Sequence, residues 1–365
     1  GNDSRLRWSC FGGSTCTSPA QVTDGTGFQG YPWIETDGQG RFHLVYSHGL
    51  GAGRYVHYNR YEAADCGGSW HASAEVLARA QPFSVVYPSV GLDDGDRPHV
   101  TYSQAMEATP NPAVDCSSGT CATHFHCYGS NPGSCIPNYE QHFQKRTGGD
   151  MGSGTWAGPQ VISSEAVGGL SHHGSLVVRD STTAHAVWLQ DTWDVGGFHR
   201  IYYAQYDGTS WTTPEDTGIG AHAADVQADG DDAFVFSNNA RFTQRPVAGG
   251  AWATPVTVAS GATTINLIKL RLGPNGRLHA VFNQEFRIMY AMTDGSGAWL
   301  PAKPVSPEVI ADTLYGNEPS IDIDSAGNAH IVWSQSDCPF NAGGNGAECE
   351  FGSIWYLETH YDDLP

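Results

Sequence analysis

The sequence predicts an all-β chain folded as a six-bladed β-propeller. Three observations carry that expectation: a glycine- and aromatic-rich composition, a strand–turn–strand module that ends in His-φ-x-aromatic, and a second, Trp-centred module that alternates with it.

Composition comes first because it removes the competing classes. The 365 residues include 45 Gly, 20 Pro and 11% aromatics but only 15% charged side chains. With few Lys and Arg to build them, long helices, bundles and coiled coils are excluded. The net charge of -20 would favour disorder, but hydrophobic residues make up 39% of the chain and the aromatics recur at regular spacing, enough to bury a core. Thirty-eight acids against 18 bases offer no footprint for a phosphate backbone or an anionic bilayer. No run approaches about 18 apolar residues, so neither nucleic acid nor membrane is an expected partner.

The first module reads as a short apolar strand, an Asp/Gly turn and a second strand. It runs from Pro32-Trp33-Ile34 to His43-Leu44-Val45-Tyr46, from Pro88-Ser89-Val90 to His99-Val100-Thr101-Tyr102, and from Gly174-Ser175-Leu176 to His185-Ala186-Val187-Trp188. Further copies end in Ala233-Phe234-Val235-Phe236, His279-Ala280-Val281-Phe282 and His330-Ile331-Val332-Trp333. Twelve residues before the His lie equivalent strand starts at Tyr31, Tyr87, His173, Leu267 and Glu318; the copy ending at Phe236 is shorter.

The second module is an alternating strand, a Gly-rich turn, a Trp and then usually a Pro. Its clearest copy is Ile201-Tyr202-Tyr203 through Asp207-Gly208-Thr209-Ser210-Trp211 to Pro214, and others place Trp70, Trp156, Trp252 and Trp299. A sixth lies at the start of the chain, around Arg7-Trp8 and Gly12-Gly13, with Cys16 in the Trp position. Six copies of each, opening in the second, describe one propeller domain over residues 1–365, closed by N-terminal strands pairing with the last blade. Ser353-Ile354-Trp355-Tyr356-Leu357-Glu358 competes for the third strand of that blade. Residues 104–139, with four Cys and several Pro, read as a loop inserted in the second blade.

Cysteine usage bears on location. Cys10 with Cys16, Cys116 with Cys121, Cys127 with Cys135 and Cys338 with Cys349 are close pairs in Gly/Ser/Asn-rich loops, with Cys66 left over. The expectation is loop disulfides and a secreted, extracellular or periplasmic monomer; pairing among the four Cys between 116 and 135 stays open. In this context Cys121-Ala122-Thr123-His124-Phe125-His126-Cys127 reads as disulfide-bonded ahead of metal-binding.

Asp207-Gly208-Thr209-Ser210-Trp211, Asp294-Gly295-Ser296-Gly297-Ala298-Trp299 and Asp150-Met151-Gly152 with Trp156 resemble the Asp-box turns of the sialidase-like propeller superfamily. The resemblance spans nearly the whole chain and implies the propeller fold and carbohydrate-facing relatives. The boxes are degenerate, and neither an Arg-Ile-Pro motif nor an arginine triad is present, so sialidase activity is not implied. Gly-x-x-Trp turns also resemble those of propeller lectins.

In a propeller the loops before the innermost strand and after the second strand open on one face, so a site there departs from the repeat wherever it needs a particular side chain. Those positions hold Tyr31, Tyr87, His172, His173, His222, Asn266, Asn317 and Glu318 before the first strands. After the second strands stand His48, Gln190, Gln284 and Gln335. The five repeated His of the second strands are expected to brace blades. Arg54, Arg200 and Arg287 each open a third strand and could clamp a carboxylate.

The expected function is a carbohydrate-active protein that degrades a polysaccharide at the axial mouth, as a lyase or a glycosidase. In the lyase reading His173 is the base, Tyr31 or Tyr87 the acid, and Arg200 or Arg287 with Asn266 bind substrate. A divalent metal held by His172, His173 and His222, with Glu318 or an Asn carbonyl, is a weaker expectation. A glycosidase needs two carboxylates, and no pair stands out among the acids. The alternative class is a non-catalytic lectin built on Trp70, Trp211, Trp252 and Trp299, or a protein-interaction propeller.

Overall fold

A computed structural model of the protein describes residues 6–8, 11–12, 15–16, 20–23, 28–50, 53–63, 67–79, 85–106, 111–115, 125–128, 134–148, 151, 154–164, 170–191, 199–230, 232–245, 250–260, 268–284, 287–306, 315–336 and 353–364. The chain divides into two compact units, Gly1–Glu215 and Asp216–Pro365. Among the described residues, apart from a short 3-10 turn at Tyr361–Asp363, the regular structure is all β.

The first unit carries three blades. Blade 1 is the antiparallel sheet Phe28–Thr36, Phe42–Leu50, Gly53–Tyr61 and Glu75–Arg79. Blade 2 is Val85–Leu92, Pro98–Ala105 and Tyr139–Gly148, edged by Thr155–Trp156 and Gln160–Val161. Blade 3 contains Leu170–Val178, Ala184–Asp191 and His199–Tyr206, and joins blade 2 by a parallel bridge between Tyr139 and Leu170. The second unit carries blade 4 (Ala224–Asp229, Asp232–Ser237, Arg241–Arg245, Val256–Thr257), blade 5 (Lys269–Leu272, Leu278–Gln284, Arg287–Met292, Lys303–Pro304) and blade 6 (Tyr315–Ile323, Ala329–Ser336, Ser353–Thr359). These are the six blades of a propeller, in the order the repeats predict.

The loop predicted between 104 and 139 leaves blade 2 after Ala105 and returns at Tyr139, with the Met106 N–H bonded to the Asn138 carbonyl at its neck. Its described parts, Asn111–Asp115, Phe125–Tyr128 and Ser134–Pro137, form a three-stranded sheet that sets Cys127 opposite Cys135. The third strand of blade 6 is Ser353–Thr359, which resolves the competition for that place. The described N-terminal strands pair with one another, Arg7–Trp8 with Ala20–Gln21 and Phe11–Gly12 with Thr15–Cys16, so the expected closure onto the last blade is not among the described pairings.

The second strands of blades 2 and 5 are buried on both faces, because each of these blades packs against a neighbour on either side within its unit; this is why they read as nearly continuous apolar runs. In the first unit one cluster joins blades 1 and 2 through Val45, Tyr58, Val90 and Tyr102, and another joins blades 2 and 3 through Phe143, Leu176 and Trp188. In the second unit Phe236, Leu270 and Phe282 join blades 4 and 5, and Tyr290, Ile331 and Trp333 join blades 5 and 6.

The repeated second-strand His does brace its blade. The Tyr58 hydroxyl donates to His43 Nδ1 at 2.8 Å, and His43 Nε2–H donates to the buried Asp37 carboxylate at 3.0 Å. A carboxylate only accepts, so the neutral ring must carry its proton on Nε2. Asp37 also receives the backbone N–H groups of Gln39 and Arg41 and the Arg41 guanidinium. The His–Tyr bond recurs as His185–Tyr203, His279–Tyr290 and His330–Tyr356 at 2.6–2.7 Å. Blade 2 departs: Phe143 stands where the Tyr would be, and His99 Nδ1 is buried without a hydrogen bond.

Candidate functional site

Four of the positions twelve residues before the repeated His prove to be bulges, and the fifth, Leu267, lies outside the described residues. The ladder between first and second strands slips between Gly30 and Trp33, opposite Thr101 to Ser103, between His172 and Ser175, and between Asn317 and Ser320. Tyr31, Tyr87 and His173 sit in three of these slips with φ of 54°, 53° and 54°, the left-handed region. That region is normally left to Gly or Asn, and each such residue costs about 1–3 kcal/mol. A bulge re-aims its side chain, and here three re-aimed rings meet. Tyr31 and Tyr87 lie 4.4 Å apart between ring centroids at 53°, and Tyr87 and His173 stack at 3.9 Å and 25°. Next to His173 stands Gly174, where a Cβ would come within 2.3 Å of the Gln141 amide, so a larger residue would displace that side chain; the other slips carry Pro32, Pro88 and Pro319 there.

The stack is graded in exposure, with Tyr31 at 38% and Tyr87 and His173 half-buried. Burial pushes the Tyr87 hydroxyl well above the usual phenol range; its hydrogen bond to Tyr31 and the neighbouring Tyr139 add to this, while the Arg54 guanidinium opposes it. Tyr87 is therefore a protonated hydroxyl at neutral pH, able to give a proton and unsuited to taking one. Tyr139 is the residue at this site that sequence reasoning missed, whereas Arg54 was among its candidate carboxylate clamps. They open the third strands of blades 2 and 1 at the same ladder row, opposite Ala105 and Gly49. The insertion hid this equivalence by displacing Tyr139 along the chain.

The other expected residues are placed as follows. Gln190 is buried, and its Oε1 accepts from Ser171 Oγ and Trp188 Nε1, a bracing role. Arg200 pairs with Gln190 at the start of the third strand of blade 3. His48 is buried and lies 4.9 Å from the His57 ring, lining a cavity of about 250 Å³ with Asn59 and His71. In the second unit His222 is exposed and its backbone N–H donates to Asn238 Oδ1. Gln284 donates to the Ser260 carbonyl, and Arg287 pairs across from it with Nε buried and unbonded. His172, Asn317, Glu318 and Gln335 are placed by their strand backbones, but their side chains, like the whole of Asn266, lie outside the described residues.

The Trp residues of the second module close turns and fill cores. Trp70, Trp211 and Trp299 bridge back to Tyr61, Tyr206 and Thr293. Asp207 and Asp294 hold the degenerate boxes by accepting backbone N–H groups within the turn. Trp211 packs on Phe143 and Trp299 on Phe236 and Phe242. The half-buried Trp299 also borders a cavity of about 550 Å³ shared by blades 4 and 5. Among the described residues, Asp324, His330 and Glu358 form a group whose donor atoms could surround a metal ion.

A β-propeller of six blades with first-strand bulges is thus the class that fold and site define. Its fold is that of the sialidase-like propellers. The chain aligns with Trypanosoma rangeli sialidase at TM-score 0.51 and 10% identity, over 93% of this chain and 56% of that one. It aligns with NanB solved with Optactamide at TM-score 0.57 and 9% identity, over 100% and 71%. A protein of unknown function from Dyadobacter fermentans gives TM-score 0.57 at 12% identity, over 91% and 95%. No family model and no curated protein sequence matches the chain.

Proposed function

We propose that the protein degrades an acidic polysaccharide by β-elimination at the Tyr31–Tyr87–His173 stack. The observation that carries this reading is the convergence of three aromatic side chains from strained backbone positions of three blades. Strain of this kind persists where the surrounding fold imposes it, and it concentrates where side chains must be held for chemistry.

In the proposed step the His173 imidazole takes the proton from the sugar carbon beside the carboxylate. The released electron pair forms the carbon–carbon double bond, the bond to the glycosidic oxygen breaks, and Tyr87 gives its proton to that oxygen. Solvent returns the proton from His173 to Tyr87. The Arg54 guanidinium, close enough to act on Tyr87, would neutralise the carboxylate and acidify the neighbouring carbon. Arg200, opening a third strand in the same unit, is a second cation for the substrate. The likeness to a sialidase supports a glycan as ligand. The cysteine pattern extends the proposal to an oxidising compartment outside the cytoplasm.

The test is a panel of uronate-containing and neutral polysaccharides, followed by the ultraviolet absorbance of unsaturated uronate and by reducing ends. Unsaturated product that disappears in His173→Ala and Tyr87→Phe supports the reading. Reducing ends without unsaturation would make the protein a hydrolase. Binding without turnover, at several sites per chain, would make it a lectin.

A further inference from the structure

We propose that Asp324, His330 and Glu358 in blade 6 form a binding site for a first-row divalent metal ion, separate from the aromatic stack. The three offer an imidazole nitrogen and two carboxylates whose donor atoms all lie within 4.8 Å of one another.

The repeat makes the case, because the same positions can be compared blade by blade. In blades 1 and 2 the turn Asp is followed four residues later by Arg41 or Arg97, whose guanidinium pairs with it at 2.6 or 2.8 Å. Blade 6 has the neutral Asn328 there, which donates to Asp324 Oδ2 at 2.9 Å. Across the ladder from the repeated His, blades 1, 2, 3 and 5 place Arg60, Lys145, Gln205 and Met292. Blade 6 places Glu358. Blades 1 and 2 thus flank their Asp–His pair with two cations, whereas blade 6 flanks it with an amide and a second carboxylate. Among the described residues no Lys or Arg pairs with these two carboxylates, and negative charge of this kind beside an imidazole is what a divalent cation would neutralise.

Geometry and access agree. Two donors each about 2.1 Å from one ion lie roughly 3.0–3.4 Å apart at octahedral or tetrahedral angles. Asp324 Oδ2 and His330 Nε2 are 3.3 Å apart. The His43, His185 and His279 counterparts are fully buried, but the Asp324 and His330 side chains are each 32% exposed and Glu358 is exposed. An ion on Nε2 leaves Nδ1 bonded to the Tyr356 hydroxyl at 2.7 Å, and that hydroxyl lies 3.4 Å from Glu358 Oε2, so Tyr356 would orient both ligands. The Asp324 carboxyl is held low, to about 2, by the Asn328 amide and backbone N–H, and is ionised at neutral pH. One imidazole with two carboxylates suits Mn²⁺ or Zn²⁺.

The experiment is calorimetric titration of the metal-stripped full chain with Mn²⁺ and with Zn²⁺, repeated on Glu358→Lys, Asp324→Asn and His222→Ala. Glu358→Lys copies the blade 2 arrangement at an exposed position, so folding is preserved, and an unchanged melting temperature verifies it. The expected result is one site per chain, weakened at least about tenfold in Glu358→Lys and Asp324→Asn and unchanged in His222→Ala. No uptake by the wild type, or equal uptake by Glu358→Lys, overturns the proposal. Loss of the site in His222→Ala instead would put the ion elsewhere and overturn it as well.

Discussion

The imidazole of His173 stacks on the ring of Tyr87 at 3.9 Å, although the two belong to different blades and each sits in a left-handed bulge. Stacking fixes both rings while leaving their nitrogens and hydroxyl at the edges, where a substrate can meet them. Tyr87→Phe keeps the ring and removes only the proton. Turnover is expected to fall about 10²–10⁴-fold, the usual worth of a positioned general acid, with the melting temperature nearly unchanged. A variant that retains more than a third of wild-type turnover would remove Tyr87 from the reaction.

Strain at Tyr31 is measurable without any substrate. At φ 54° an L side chain costs about 1–2 kcal/mol that Gly does not, and Tyr31 is already 38% exposed. Tyr31→Gly should therefore be more stable than Tyr31→Ala by about 1 kcal/mol, against the usual ordering in a strand. Denaturant unfolding of the two variants decides it; Ala equal to or above Gly would show that the backbone there is not held left-handed.

Blade 2 lacks the hydroxyl that its counterparts supply. Phe143 lies 5.6 Å from His99 between ring centroids, and the Tyr–His pairs of other blades lie at 5.9–6.1 Å. Phe143→Tyr should donate to the unbonded His99 Nδ1 and stabilise the fold by roughly 0.5–1.5 kcal/mol. The gain should vanish in His99→Phe, which a double-mutant cycle would read.

His279 gives the fold an acid sensitivity of known sign. Burial, then the charge of Arg277, lowers its pKa to about 4, against about 6.5 in the unfolded chain. Protons therefore prefer the unfolded state: the stabilisation is complete above about pH 6.5 and is lost as pH falls toward 4, at no more than about 1.4 kcal/mol per pH unit. His43, which burial also lowers, acts in the same direction. His279→Gln keeps an acceptor for the Tyr290 hydroxyl and should flatten part of that slope in urea unfolding at several pH values. An unchanged slope would mean that other groups carry it.

Much of the architecture was legible because a propeller repeats. His43, His99, His185, His279 and His330 mark second strands since five of the blades share one bracing position, and the Trp turns recur since each must close onto its third strand. The candidate site was half legible. Counting back from those histidines found Tyr31, Tyr87 and His173, because a bulge occupies a fixed register. It could not separate them from Gln190, which the same reading of the repeat selects but which is spent on Ser171 and Trp188. Nor could it reach Tyr139, whose strand start lies beyond a long insertion.

The sequence by itself determined the strand order, the blade count and the braces, since these follow from local periodicity and from hydrogen-bonding groups at fixed offsets. Only the tertiary structure decided which deviations from the repeat converge. The Tyr87–His173 stack and the two carboxylates around His330 both arise from residues brought together across blades or across a ladder. Such neighbours are set by register and packing, and spacing along the chain carries no record of them.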